Sequence, residues 1–158
     1  MSKPDVFYSF HFANDVMRVQ LIRNMGVISG DVPVEPNTWE ELKRKDKGVE
    51  KWIDDQMKDV DAVVVLIGSE TSMRPWVKYE IQRALELEKP LLGIYIHNLK
   101  SGNEGVSTKG ANPLGTVTFK TPAGATVKPP VFEPKASDAY NDIEANIEKW
   151  IKAAMAQR

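Results

Sequence analysis

The 158-residue sequence contains no cysteine, which removes disulfides, thiolate zinc sites and cysteine nucleophiles together. Histidine is nearly as scarce, with only His11 and His97, so a metal site built from nitrogen and sulfur ligands lacks donors and only an all-oxygen site stays open. No metal is expected. No apolar run approaches the roughly 20 residues that cross a bilayer, and the first residues lack the apolar core of a signal peptide. These absences lead us to expect a cytoplasmic protein that is not bound to a membrane. The formal net charge is -1 with the two signs interleaved. Such a chain has no broad basic field for a phosphate backbone, so nucleic acid is not the expected partner. Neither a G-x-G-x-x-G fingerprint nor a P-loop occurs, which argues against a dehydrogenase or a kinase.

What is present fits a globular α/β chain read as one domain over residues 1–158, with 42% hydrophobic and 27% charged residues. Asp5 to Phe10 is β-branched and aromatic and reads as a strand, and His11 to Asp15 suits a loop and helix cap. A helix follows over Val16 to Asn24, with Met17 and Leu21 one turn apart, Arg18 and Arg23 left for solvent, and Gly26 as its stop. Val27 to Ser29 reads as a short strand and Gly30 to Asn37 as a projecting loop. Within the charged stretch Thr38 to Lys58, residues Val49, Trp52, Ile53 and Met57 share a helical face, while Glu40 to Lys47 reads as solvated surface.

Ala62 to Ile67 and Leu91 to Ile96 are apolar runs of the kind covered on both faces in a parallel sheet. Between them, Trp76 to Glu88 reads as a helix with Val77, Ile81 and Leu85 on its buried stripe. Strand, helix, strand in this order argues a crossover unit. Residues 99–137 change character to Gly, Pro, Lys, Thr and Ser and read as an irregular insertion, with short strands at Thr116 to Phe119 and Thr126 to Lys128 that could form a hairpin. A closing amphipathic helix over 138–156 carries Ile143, Ile147, Trp150, Ile151 and Ala154.

In an open parallel sheet, ligands sit beyond the carboxyl ends of the strands. The loops Ser9 to Asn14, Gly30 to Asn37 and Gly68 to Trp76 are therefore the places to look. Trp76 and Glu80 lie one helical turn apart, which puts a carboxylate beside an indole at the margin of the core. The bland alternative pairs Glu80 with Arg83 or Lys78 on the surface and leaves Trp76 to packing. Phe10 could stack on a planar ring or belong to the core. His11 could touch a ligand or cap the helix. Ser9 and Asn14 could donate to phosphate or ribose, or simply close the turn. Gly30 and Gly68 are positions where a ligand could approach the backbone.

Asp5-Val-Phe-Tyr-Ser-Phe-His-Phe-Ala-Asn-Asp15 resembles the first box of TIR domains, in which an aromatic-rich strand ends in a Ser-Phe pair. Ser69-Glu-Thr-Ser-Met-Arg-Pro-Trp-Val-Lys-Tyr-Glu80 is similar to the Ser-x-Trp-x-x-x-Glu region of the same family. The agreement runs from about residue 5 to 97 and points to the bacterial TIR-like branch that includes the signal-producing component of Thoeris antiphage defence. Val77 stands where the family often has cysteine, and Gly30 to Asn37 takes the place of its mobile loop without matching it closely. The resemblance implies a three-layer flavodoxin- or Rossmann-like fold with a central parallel sheet flanked by helices. It further implies cleavage of NAD+ at the nicotinamide-ribose bond to ADP-ribose or a cyclic isomer, with Glu80 as the catalytic glutamate and Ser9, Phe10, His11, Asn14 and Trp76 around the substrate. NAD+ would be substrate and no cofactor would be needed. A homo-oligomer and a downstream effector answering to a nucleotide signal are the implied partners. Two other readings stay open: an interaction module of the same fold without chemistry, and a nucleoside deoxyribosyltransferase-like enzyme whose glutamate attacks the sugar.

Overall fold

The computed structural model describes residues 3–27, 29–30, 46–100 and 105–158. The chain opens with β1 (Asp5–Ser9), α1 (Phe12–Asn24) and β2 (Ser29–Gly30). It continues through α2 (Asp46–Met57), β3 (Ala62–Ile67), a 3-10 turn over Thr71–Met73, α3 (Pro75–Glu86) and β4 (Leu91–Tyr95). The last third contains β5 (Phe119–Lys120), β6 (Thr126–Val127), β7 (Val131–Phe132) and α4 (Ala139–Met155). Gly30, expected in a loop, belongs to β2, while residues 31–37 of that expected loop Gly30 to Asn37 and most of the charge run Glu40 to Lys47 lie outside the described residues.

Five strands form one parallel sheet in the order β2-β1-β3-β4-β7. The central strand, Ala-Val-Val-Val-Leu-Ile, is buried along its whole length. β-Branched residues suit this position because both faces of the strand meet packed side chains. Successive residues point to opposite faces, so two cores form. On one face Val6, Tyr8, Val64, Leu66, Leu92 and Ile94 meet Val19 and Ile22 of α1 and Ile143, Ile147 and Ile151 of α4. On the other, Phe7, Val63, Val65, Ile67 and Leu91 meet Ile53 and Met57 of α2 and Val77, Ile81 and Ala84 of α3. Helix layers therefore cover both faces of the sheet, as the three-layer α/β reading expects.

Three expectations are corrected. Helix α1 starts at Phe12 rather than Val16, and its buried residues are Asp15, Arg18, Val19 and Ile22. Met17 is 54% exposed, whereas Arg18, expected in solvent, is buried. Four oxygens around its guanidinium, described below, replace the lost water. The expected strand Thr116 to Phe119 shortens to Phe119–Lys120, which pairs antiparallel with Thr126–Val127 to make the hairpin. Val131–Phe132, inside the segment read as irregular, joins the main sheet beside β4. A two-residue strand within the three residues between a proline pair and Pro134 offers no readable alternation, so this fifth strand has no local signal.

Helix α4 closes one face with fully buried isoleucines and leaves Tyr140 37% exposed. Ile147→Ala should therefore cost about 2–5 kcal/mol, while Tyr140→Ala should stay within about 0.5 kcal/mol. Urea unfolding of both variants measures the difference. Similar losses at the two positions would contradict the packing of this helix.

Candidate active site

The strand order places a switch between β1 and β3, because the chain leaves β1 toward β2 on one side and reaches β3 on the other. In doubly wound sheets such a switch opens a crevice at the carboxyl ends of the two strands. Ser9 is the last residue of β1 and lies in register with Val65 of β3. Its side chain shares the α2 and α3 face with Phe7, two residues earlier.

Helix α3 supplies the residue opposite. Arg74 is its extended N-cap and Pro75 occupies the first turn, where a missing N–H costs nothing and the fixed φ suits a helix. From there Val77, Glu80, Ile81 and Ala84 form the buried stripe, with spacings of three, four and seven residues from Val77. Glu80 is thus one of the stripe's own members rather than a neighbour of it, and Leu85, expected on the stripe, is only half-buried. The surface pairing is excluded by geometry. Arg83 instead bonds Asp54 and Glu86, both at 2.7 Å.

Ser9 Oγ donates to Glu80 Oε1 at 2.8 Å, and both side chains are buried. Burial in this apolar layer pushes the Glu80 carboxyl up to about 8, and the Ser9 hydroxyl partly opposes the shift. The carboxyl titrates near working pH.

The other expected residues are distributed around this pair. Asn14 Nδ2 donates to Glu70 Oε2 at 2.6 Å, so it links α1 to the loop after β3 rather than capping the helix. His11 is the N-cap of α1 without a side-chain cap. Phe10 packs against the core on the α1 and α4 side, away from the face that carries Ser9, with its ring 6.0 Å from that of Phe12. Trp76 is half-buried and sets its indole edge-on to Tyr79, with centroids 5.5 Å apart. Gly68 gives room to protein rather than to a ligand, because a Cβ there would overlap the Asp15 carboxylate.

Sequence reasoning missed the residues that roof this edge of the sheet. Arg18 Nε donates to Leu99 O at 2.9 Å, Nη1 to Asp15 Oδ1 at 3.0 Å and Asn14 O at 3.2 Å, and Nη2 to Gly105 O at 2.9 Å. Ser107 N donates to His97 O at 2.6 Å. Lys109 reaches Glu133 at 2.6 Å and lies over the Tyr95 ring. Gly110 packs so closely on the Gly68 carbonyl that no side chain fits. Leu114 drops into the space that Gly93 leaves open. The segment 105–114 therefore crosses the carboxyl ends of β3 and β4 as a strap. Between it, α1 and the loop after β3 lies a cleft of about 320 Å³ lined by Ala13, Asn14, Arg18, Ser69, Gly105, Val106 and Ser107. A serine, a glycine and an exposed valine carry no separate sequence signal.

Among the described residues, no group of three or more His, Asp or Glu side chains is placed to hold a metal ion, and no helix is long and apolar enough to cross a membrane.

The elevated Glu80 value has a thermodynamic consequence. Folding raises this group from its ordinary 4.5 to about 8, so the folded chain holds an extra proton between those values and loses stability as pH rises through that window. Glu80→Gln removes the titration while keeping the shape. Its stability should exceed that of the wild type by an amount that grows from about pH 5 to pH 8, reaching the order of a few kcal/mol. Thermal melts across that range test it, and a difference independent of pH would show that the carboxyl is not held in an apolar site.

The family model described as Thoeris protein ThsB, TIR-like domain, matches residues 7–101. Over 121 residues the chain is 32% identical to a protein of Bacillus cereus (strain MSX-D12) named "Putative cyclic ADP-D-ribose synthase ThsB1", an alignment that takes in 73% of this chain and 63% of that protein. The chain thus spans less than two thirds of the curated relative's length. Since the matched residues run from the middle of β1 past the end of β4 and make up more than half of the sequence, the chain belongs to the TIR-like domain family of the Thoeris protein ThsB.

Proposed function

We propose that this chain consumes NAD+, breaking the bond between nicotinamide and ribose and releasing a cyclic ADP-ribose-type nucleotide as a signal in antiphage defence. The observation that carries the reading is the Glu80 carboxyl, buried at the β1–β3 switch and hydrogen-bonded to Ser9. The name of the Bacillus cereus relative supports the cyclic product.

The chemistry asks little of the protein besides electrostatics. In NAD+ the pyridinium nitrogen already carries the positive charge, so when the C1′–N bond breaks its electron pair neutralises the leaving nicotinamide and no general acid is required. Positive charge moves onto C1′ and the ring oxygen of the ribose. A carboxylate fixed beside that ring stabilises the developing oxocarbenium ion, and it does so most strongly where water is excluded. Glu80 Oε1 is oriented by Ser9, and the remaining carboxylate acceptor capacity is available to ribose hydroxyls. Capture of C1′ by water gives ADP-ribose and a proton. Capture by a nucleophile of the same molecule gives a cyclic product lighter by one water.

The active form is the carboxylate, so kcat/KM for NAD+ should rise with pH and level off above about 8, the value of the free enzyme. In the complex the pyridinium charge favours ionisation, so kcat should level off at a lower pH. Ser9→Ala removes the hydrogen bond that holds the value down and should move the kcat/KM profile to higher pH.

Incubation of concentrated protein with NAD+, followed by chromatography with mass detection, tests the proposal. Nicotinamide release should fall about 100-fold or more in Glu80→Gln. Undiminished release by that variant, or a covalent sugar adduct on Glu80, would replace the proposed mechanism.

A further inference from the structure

The Glu80 carboxyl is too deeply buried to hold a whole dinucleotide beside it. A substrate whose nicotinamide riboside reaches Glu80 must lay its phosphates and second nucleoside outside that layer. The cleft under the strap opens at the same carboxyl edge of the sheet, around the Gly68–Ser69 turn that leads into α3. Its lining offers the Ser69 and Ser107 hydroxyls, while the Asn14 amide is engaged by Glu70 and the Arg18 guanidinium by Asp15 and main-chain carbonyls. A polar cleft with hydroxyl donors and small side chains suits the sugar and phosphate oxygens of a nucleotide.

Three of the seven lining residues lie beyond the family model, which ends at residue 101. Gly105, Val106 and Ser107 reach the cleft only because other contacts hold the strap down. Arg18 ties Leu99 and Gly105 to α1 through a buried guanidinium. Gly110 allows backbone to touch backbone over Gly68, and Leu114 locks the far end above Gly93. Each tie is made to an element that is itself fixed in the sheet or its helices. A strap fastened along its length forms a wall of constant shape, and a wall of constant shape can select by size.

We propose that the strap over residues 105–107 is the specificity wall for the distal, ADP half of the substrate, and that Arg18 is the positioning residue that holds this wall in place. The proposal rests on the reading of Glu80 as the NAD+-cleaving group, and it assigns the strap a role separate from bond cleavage. Glu80 acts on the ribose next to nicotinamide. The strap decides what is attached to the other side of that ribose.

The test compares wild type, Arg18→Met and Val106→Trp in the full chain, with NAD+ as substrate and with ADP-ribose and nicotinamide as inhibitors. Val106 is 55% exposed and lines the cleft, so tryptophan there fills the cleft without disturbing the core, which keeps the test available if Arg18→Met does not fold. Both variants should raise KM for NAD+ and the inhibition constant of ADP-ribose about tenfold, with kcat changed less than about threefold and inhibition by nicotinamide unchanged. In Arg18→Met, amide hydrogen exchange over 105–114 should also accelerate. Equal loss of affinity for ADP-ribose and nicotinamide, or a fall in kcat alone, would overturn the proposal. If the wild type cleaves no NAD+, the reading of Glu80 has failed, and ADP-ribose binding by calorimetry decides the wall by itself. Binding weakened about tenfold in both variants supports it; unchanged affinity, or no binding to the wild type, overturns it.

Discussion

A carboxyl group inside an apolar helix stripe is the constraint around which this structure is arranged. Glu80 occupies a position that helical periodicity reserves for a core residue, and its hydrogen bond to Ser9 is made at the end of β1. A buried carboxylate without a counter-charge is costly, and the group answers by holding its proton to unusually high pH. The surrounding sheet must then be stable enough to tolerate it. Completely buried β3, with Phe7 and Leu91 beside it on the same face, supplies the packing that fixes both ends of the Ser9–Glu80 pair.

The buried arginine of α1 is arranged on the opposite principle. Arg18 carries a permanent charge that cannot be neutralised, so the fold surrounds it with oxygens: one carboxylate and three main-chain carbonyls. That shell draws Leu99 and Gly105 toward α1, and it is completed close to where Asp15 lies under Gly68. One buried group holds its proton to high pH beside a serine hydroxyl, while the other keeps its charge inside a shell of acceptors. Their difference in hydrogen bonding, rather than in burial, separates the two roles.

The sheet strands and helices with strong periodicity were legible in sequence because burial writes itself into spacing. Ala62–Ile67 was read to the residue, and α3 and α4 to within two residues at each end. The two boxes around Ser9 and Glu80 were legible as a resemblance, and the structure brings those two residues into contact. Asn14 was read near the site, but its bond to Glu70 depends on how two loops approach one another. Phe10 and Ser9 are adjacent in sequence yet serve opposite faces, a separation set by where β1 ends. The burial of Arg18 is not legible because an arginine on a polar helix normally faces water, and two of the carbonyls that receive it come from more than 80 residues away. β7 was missed because two residues in a strand carry no period.

The position of β7 bears on how this chain can change. Its segment from the end of β4 leaves the sheet and returns to the same edge, with Gly93 and Ile94 paired to Val131 and Phe132. Both ends of the excursion are therefore clamped within one strand spacing of each other. For a flexible closed loop, doubling the length costs only about 0.6 kcal/mol in chain entropy. Ile96, Leu99, Gly110 and Leu114 hold this excursion against the core and the loop after β3, so change in length is cheapest between those ties, and the roof can diverge there at little expense to the sheet.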